Sequence, residues 1–216
     1  MPASSSESSL SSLEEEIGYS FGRTSLPLEA LTHRTYSHEN PGAAPFFNER
    51  LEFLGDSVLG LVISEELFRR FPALDEGKLS KMKAALVRDS MLASVAENIG
   101  LGLCIRLGKG EEKTGGRLKP SLLADALEAL IAAVYLDGGL DAAKKVIGLL
   151  FDEEMRAAAE RGGLDDPKTE LQEMVHRLSS GPLDYRLVEE SGPDHRKTFT
   201  IEVVLQGKVA GTGSGP

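Results

Sequence analysis

The sequence predicts a mainly α-helical protein, with an all-helical domain followed by a small α+β domain. Two observations predict this organisation. Apolar residues recur with helical spacing from Leu13 to Arg161, interrupted by short segments rich in glycine or proline. After residue 161, apolar and polar residues alternate one by one, which is typical of half-buried β-strands.

The composition allows packed cores and excludes several classes of protein. The chain has 216 residues, 41% of them hydrophobic, and a net charge of −10, so it cannot hold nucleic acid by bulk positive charge alone. The single cysteine, Cys104, excludes an intrachain disulfide and a zinc site with several cysteine ligands, and it indicates a reducing, cytoplasmic location. No apolar run approaches the roughly 18 residues of a membrane-spanning helix, so no membrane partner is expected.

The predicted first domain covers residues 13–161 and follows a serine-rich tail. Residues 1–12 contain seven serines and little to bury, which predicts disorder. The sequence Asp137-Gly138-Gly139 predicts the end of a helix, and the glycine-rich stretch 108–120 predicts a loop. Helices are predicted over residues 46–70, 77–87, 89–99, 122–136 and 141–161.

The predicted second domain covers residues 166–216, behind a linker at 162–165. Pro167 is expected to open a short helix over Lys168–Ser179. Three strands should follow, around residues 183–187, 198–205 and 206–209. The apolar face of the middle strand is predicted to consist of Phe199, Ile201, Val203 and Leu205.

Three carboxylates share one face of the helix predicted over residues 46–70. At about 100° per residue, Glu49, Glu52 and Asp56 fall within about 60° of one another. Phe53 falls beside this acidic face, so it needs either a second subunit or a neighbouring helix of the same chain to cover it. The other apolar residues of the helix lie opposite: Leu51, Leu54, Val58, Leu61 and Val62.

A second predicted helix repeats this pattern. Asp125 and Glu128 are i, i+3 neighbours, and the small residues Ala124, Ala129 and Ala132 beside them would let another helix approach closely. If the two acidic faces meet, each like-charged pair at about 4 Å repels by roughly 1 kcal/mol in water and about 4 kcal/mol at an effective dielectric constant near 20. The carboxylates of either helix alone could simply form a solvated acidic face. Matching carboxylates on both helices favour a bound cation.

The donor set indicates which cation this would be. Ligands that offer only oxygen select Mg²⁺ or Mn²⁺ over zinc. A divalent metal held by carboxylates on helices suits phosphoryl chemistry, where the metal polarises phosphate and generates hydroxide. A di-iron centre is disfavoured because neither helix has a histidine in the required Glu-x-x-His spacing.

Several segments resemble the ribonuclease III family of double-stranded-RNA endonucleases. NERLEFLGDS at residues 48–57 looks like the signature of that family, and LTHRTYSHEN at 31–40 resembles the segment preceding it. Asp75-Glu76-Gly77 and then LADALEALIAAVYLDG at 123–138 match later blocks of the family in order. Segments 166–173, 192–195 and 211–214 resemble the double-stranded-RNA-binding domain usually fused behind the nuclease.

The resemblance implies roles for particular carboxylates. Glu52, Asp56, Asp125 and Glu128 would bind or position a divalent metal, Mg²⁺ with Mn²⁺ as a substitute. Asp56 and Glu128, together with Glu49 and Glu76, would form the catalytic centre. Activated water would cleave duplex RNA, such as rRNA and mRNA precursors, to 5′-phosphate and 3′-hydroxyl products with short 3′ overhangs. A homodimer with Phe53 at the subunit contact is also implied.

The resemblance also implies how duplex RNA is bound. Residues of the C-terminal domain would meet successive minor grooves and read the shape of the A-form helix more than its sequence. The family's domain continues beyond this point with a lysine-rich final helix, so we expect residues 166–216 to form an incomplete version without that helix. The implied RNA-binding residues are Thr169, Gln172, Glu173, Pro193 and His195.

Two alternatives of different function remain open from the sequence. The chain could be a double-stranded-RNA-binding protein whose nuclease fold is not catalytic, although none of the expected carboxylates is missing. It could instead hydrolyse small nucleotides with a metal ion, although the C-terminal domain speaks against that. Cleavage of long duplex RNA that depends on Mg²⁺ would separate the enzyme from the first alternative, and competition between duplex RNA and nucleotides from the second.

Overall fold

A computed structural model describes residues 3–161, 171, 175, 181–193 and 197–215, with side chains described from residue 10 to 158 in the first range. The chain divides into two compact units, Met1–Gly163 and Leu164–Pro216. The described part of the first unit is helical, and the second contains an antiparallel sheet. The predicted fold class is therefore confirmed.

Nine α-helices and one 3₁₀ turn are found in the described part of the first unit. The break predicted at Gly139 is present, because this residue has φ 76° and ψ −174° and divides α9 into two segments. The 3₁₀ turn covers Gly116–Leu118. The helices are α1 Ala3–Ile17, α2 Ser25–Ala30, α3 Arg34–Glu39, α4 Glu49–Arg70, α5 Glu76–Leu86, α6 Asp89–Asn98, α7 Leu101–Cys104, α8 Lys109–Lys113 and α9 Pro120–Arg161.

Helix α1 begins earlier than the serine-rich composition predicts. The sequence indicates disorder through residue 12, whereas the helix starts at Ala3. Leu10, Leu13 and Ile17 follow helical spacing and pack into the core of the first unit, with Leu13 and Ile17 buried. Tertiary contact with this short apolar stripe explains a helix that composition alone disfavours.

Asp137 ties the segment after α1 to the end of the first half of α9. Its carboxylate accepts hydrogen bonds from the Tyr19 hydroxyl at 2.9 Å and from the Gly22 backbone N–H at 2.8 Å. It also accepts from the backbone and side chain of Arg23. These bonds lower the pKa of Asp137, with the Gly22 contact the largest cause. Asp137 therefore has a structural role where the chain turns between the two halves of α9.

Helices α4 and α9 cross at very close range because Gly55 has no side chain. A Cβ built on Gly55 would lie 1.9 Å from the carbonyl oxygen of Glu128. Around this contact Leu51, Ala129 and Ala132 are buried together, as the small residues of the second acidic helix led us to expect. The close approach places the residues on either side of Gly55 directly against α9.

The sheet of the second unit has three antiparallel strands in the order β1, β2, β3. They cover Leu183–Ser191, Thr198–Leu205 and Lys208–Gly215, so the third is longer than predicted. The predicted apolar face of β2 is only partly correct, because Ile201 is 39% exposed whereas Val204 is 4% exposed. The pairing of β2 with β3 shifts between Val203 and Val204, and such a bulge interrupts the alternation of faces. The helix predicted over 168–179 lies largely outside the described residues, and residues 194–196 between β1 and β2 lie wholly outside them.

Substitution of Gly55 should destabilise the first unit. In Gly55→Ala the new methyl group overlaps the Glu128 backbone, so we expect the free energy of unfolding to fall by about 1–3 kcal/mol, as is usual for overpacked cores. Gly60→Ala on the same helix is the matched control, since its Cβ would meet nothing closer than Lys83 Nζ at 3.5 Å. That variant should gain up to about 1 kcal/mol from helix propensity. Denaturant unfolding measures both, and equal stabilities would contradict the close-contact interpretation.

Candidate active site

The crossing at Gly55 brings the acidic faces of α4 and α9 together. Glu52 and Asp56 flank the glycine on α4, and Glu128 is the residue whose backbone it contacts. The electrostatic influence of Glu52, Asp56 and Asp125 on Glu128 places all of these carboxylates in one cluster. The four residues predicted as metal ligands are therefore neighbours in the folded chain.

Glu128 lies at the centre of this cluster. Its pKa is raised to about 8, first by burial and then by the negative charges of Asp56, Glu52, Asp125 and Asp89. A carboxylate with such a pKa holds its proton near neutral pH unless a cation takes its place. The site is therefore suited to binding positive charge.

The pKa values of the neighbouring carboxylates, Glu52 and Asp125, are raised as well. Burial raises the pKa of Glu52, and the charges of Asp125 and Glu49 raise it further. Burial also raises the pKa of Asp125, followed by the charges of Asp89 and Glu49. These mutual effects show that Glu49 belongs to the cluster, although its side chain is about half exposed and lies 3.5 Å from the Arg34 guanidinium.

Asp89 is a member of the cluster that the sequence reasoning missed. It is the first residue of α6 and raises the pKa of both Asp125 and Glu128. No helical spacing relates it to either acidic face, because it lies on a third helix. Only the packing of α6 against α9 brings it to this position.

Glu76 is the one predicted catalytic residue that the described contacts do not connect to the cluster. It is the first residue of α5 and is exposed. The Ser80 hydroxyl donates a hydrogen bond to its carboxylate at 2.8 Å. None of the raised pKa values in the cluster has Glu76 among its causes.

The carboxylates are close, but they do not converge as a preformed set of ligands. Within the described residues, no three Asp, Glu, His or Cys side chains are arranged so that they could hold one metal ion. The oxygen-only donor set nevertheless fits a hard divalent cation such as Mg²⁺ or Mn²⁺.

A pocket of about 570 Å³ opens beside the cluster. Acidic side chains of α4 and α9 form one wall, and the segment leading into α3 forms another. His33 lies in this second wall, where its Nδ1 is hydrogen-bonded to Thr35 and burial lowers its pKa. The pocket is lined by His33, Arg34, Thr35, Asn48, Glu49, Glu52, Glu111, Lys119, Ser121, Leu122 and Asp125.

The remaining predicted site residues lie apart from the pocket or outside the described part. Phe53 is 79% exposed on the surface of α4, so no helix of the described chain covers it. Pro193 is exposed just after β1. The other predicted RNA-binding residues, Thr169, Gln172, Glu173 and His195, fall outside the described residues. In the described ranges, no helix is both long enough and apolar enough to cross a lipid bilayer.

Comparison with family models gives two matches that together cover most of the chain. Residues 23–153 match the model described as ribonuclease-III-like. Residues 167–216 match the model of the double-stranded RNA binding motif. The first match contains every carboxylate of the cluster, and the second contains the three-stranded sheet.

Individual proteins and a solved structure are similar over long ranges. Ribonuclease 3 of Streptomyces coelicolor is 50% identical over 213 residues, covering 99% of this chain and 76% of the relative. Ribonuclease 3 of Desulforamulus reducens is 46% identical, covering 94% of this chain and 82% of the relative. A structure of the Campylobacter jejuni ribonuclease III nuclease domain, described for flexibility in its dimer-forming region, has a TM-score of 0.61 and 42% identity, covering 66% of this chain and 96% of that one.

The raised pKa of Glu128 predicts how stability depends on pH when divalent metal is chelated. Glu128 has an ordinary pKa of 4.5 and a folded-state value of about 8, so the folded state binds more protons than the unfolded state between these values. Stability should therefore decrease as pH rises through this window. Glu128→Gln should flatten the decrease and raise the melting temperature at pH 8, whereas Glu153→Gln on the exposed surface of α9 should change neither. Parallel pH profiles for the three proteins would contradict this.

Proposed function

Because this chain belongs to the ribonuclease III family and is an endoribonuclease of double-stranded RNA, we propose that its cleavage centre is the carboxylate cluster between α4 and α9. The observation that carries this proposal is the close helix crossing at Gly55. It brings Glu52 and Asp56 against Asp125 and Glu128, at a cost in repulsion that only a bound cation or a proton can offset.

Enzymes of this family generally depend on a divalent metal ion, and the donor set of the cluster fits one. We propose Mg²⁺, with Mn²⁺ as a substitute, held by Glu52, Asp56, Asp125 and Glu128. When bound, the metal would polarise the scissile phosphate and lower the pKa of the attacking water. Glu128 must lose its proton to serve as a ligand, so metal and proton compete for the same carboxylate.

We propose that the protein's own carboxylates orient the substrate strand from two sides. Half-buried Glu128 and Asp125 face the site from α9, while exposed Asp56 and Glu49 border it from α4. We propose that Glu49 and Glu76 shape the centre around the RNA strand rather than hold metal. The expected products carry 5′-phosphate and 3′-hydroxyl ends with short 3′ overhangs, and rRNA and mRNA precursors are the proposed substrates.

The C-terminal unit is proposed to hold the duplex. Its match to the double-stranded RNA binding motif over residues 167–216 supports this role. Binding would use contacts to phosphate and 2′-hydroxyl groups across minor grooves, which read A-form shape. We propose contacts from the predicted set of Thr169, Gln172, Glu173, Pro193 and His195. Hydrolysis of small nucleotides is disfavoured, because such substrates need no duplex-binding domain.

A homodimer is proposed, with Phe53 at the contact between subunits. Its 79% exposure is costly for an aromatic side chain that a partner could bury. The related Campylobacter jejuni structure is described as having a region involved in dimer formation, which supports this arrangement. We also propose that the enzyme acts in the cytoplasm, in keeping with a single cysteine that forms no intrachain disulfide.

The metal assignment predicts that Glu128→Gln abolishes cleavage while duplex binding persists. The amide keeps the shape of the side chain but removes a charged ligand at the proposed centre. Cleavage of a defined duplex with and without Mg²⁺ measures the first effect, and a gel-shift assay measures the second. Glu153→Gln is the matched control and should cleave like the wild type. Turnover near the wild-type rate in Glu128→Gln would refute the assignment.

The dimer proposal predicts weaker self-association in Phe53→Ala. Burial of a phenylalanine contributes about 1.5–3 kcal/mol, and a two-fold symmetric contact counts it twice. Sedimentation equilibrium should therefore show a clearly higher dimer dissociation constant. Phe68→Ala is the matched control, since Phe68 is 72% exposed on the same helix but about 22 Å further along it. A wild type that sediments as a monomer at micromolar concentration would contradict the proposal.

A further inference from the structure

The pocket beside the carboxylate cluster contains polar groups that the metal centre does not use. It shares Glu49, Glu52 and Asp125 with the cluster, but its other side is formed by Asn48, Arg34 and Lys119. A concave site with two cations and a buried amide, next to the proposed cleavage centre, is suited to a part of the substrate adjoining the bond that is cut.

Asn48 is the most informative residue of this pocket. Its backbone is engaged, since the N–H donates to the Thr32 carbonyl at 2.9 Å and its own carbonyl accepts from the Glu52 N–H at 2.8 Å. The residue is only 3% exposed, yet its side chain makes no capping bond at the start of α4. Within the described residues, no hydrogen-bond partner is found for its amide, which borders the pocket. No fully buried side-chain nitrogen or oxygen of the described residues lacks a hydrogen-bond partner, so the amide of Asn48 must reach the pocket that it lines, where a ligand can bond to it.

Each of the two cations of the pocket forms an ion pair with a carboxylate of the protein, and both pairs are partly exposed to solvent. Arg34 pairs with Glu49 at 3.5 Å, and both side chains are about half exposed or more. Lys119 pairs with Glu111 at the rim, where the lysine side chain is 45% exposed. Exposed ion pairs contribute little to stability. Arg34 can therefore exchange its carboxylate for a phosphate at little cost to the fold, whereas Lys119 would give up its bond to Glu111, whose side chain is only 20% exposed.

We infer that this pocket is a subsite for one nucleotide of the cleaved strand, beside the scissile phosphate. The Asn48 amide recognises the ribose 2′-hydroxyl, and Arg34 and Lys119 neutralise the adjoining phosphate. An amide both donates and accepts hydrogen bonds, as a 2′-hydroxyl does, and this hydroxyl distinguishes RNA from DNA. The inference rests on the proposed function, because it assigns a substrate contact to the same centre.

Negative side chains outnumber positive ones in the pocket, and this affects whether a phosphate group can bind there. Arg34 and Lys119 face four carboxylates, those of Glu49, Glu52, Glu111 and Asp125. Glu49 and Glu111 are already paired with these cations, and a divalent cation bound at Glu52 and Asp125 would offset the remaining negative charge and favour entry of a strand phosphate.

The test combines Asn48→Leu with modified substrates. Leucine keeps the branched shape of asparagine but is larger and forms no hydrogen bond. Because the amide has no protein partner, the melting temperature should not fall. Duplexes carrying a single 2′-deoxynucleotide at each position near the cut identify the contacted nucleotide. At that position the wild type should lose about two- to tenfold in kcat/KM, the usual range for one neutral hydrogen bond. Asn48→Leu should show a similar loss on all-RNA duplex and no further loss on the modified one.

The proposed phosphate contacts of Arg34 and Lys119 are tested separately, by kinetics and by the salt dependence of binding. Arg34→Gln and Lys119→Gln should each raise KM more than they lower kcat, and each should reduce the salt dependence of duplex binding by about one unit. Arg156→Gln is the matched control, since Arg156 pairs with Asp152 on α9 and takes no part in the pocket. Asn48→Ala is the second variant should leucine be too bulky.

The outcomes separate the inference from the proposed function. If wild-type protein fails to cleave duplex RNA, the proposed function itself is wrong. If the wild type cleaves but the effects of Asn48→Leu and the 2′-deoxy substitution multiply, the amide does not contact that hydroxyl. Failure of both Asn48 variants to fold would assign the amide a structural role and overturn the inference. Unchanged salt dependence in the Arg34 and Lys119 variants would overturn the phosphate contact.

Discussion

The close contact between Gly55 and the backbone of Glu128 is the constraint on which the candidate site depends. A side chain at Gly55 would meet the Glu128 carbonyl oxygen at 1.9 Å, so only glycine permits this crossing of α4 and α9. Apolar residues from both helices, among them Val58, Leu59, Leu127 and Leu130, are buried in the same core. Their burial, at roughly 25 cal/mol per Å² of apolar surface, provides the free energy that holds the carboxylates together.

The site is therefore electrostatically destabilising for the fold that contains it. Burial and like charges raise the pKa of Glu128 to about 8 and also raise those of Glu52 and Asp125. The same interactions that disfavour ionisation of these groups favour the binding of a hard cation. On each helix, one face is packed in the core and the other carries carboxylates that repel one another. The stabilisation from core packing offsets this repulsion, so the domain stays folded with a site for positive charge.

The pocket beside the cluster combines acidic side chains with basic ones. Arg34 pairs with Glu49 and Lys119 pairs with Glu111, so one concave surface carries both signs of charge. A metal-assisted cut on a polyanion requires such a surface, because the scissile phosphate and its neighbours must be held while charge develops at the reacting atoms. The C-terminal unit serves a separate need, the binding of double-stranded RNA. Its family match supports that division of roles.

Local patterns in the chain were sufficient to predict the longer helices, the two acidic faces and the family, because helical periodicity and short motifs depend on neighbouring residues. They missed α8, which forms within the stretch 108–120 that was predicted as a loop. The same patterns indicated the break at Gly139. They did not reveal Asp89 in the cluster, the burial of Asn48 or the role of Gly55, and they predicted disorder where α1 forms. Each of these depends on contact between segments far apart in sequence, and periodicity reports which face a residue occupies but not what that face meets. Helix crossing, burial and the raised pKa of Glu128 were therefore decided only by tertiary packing.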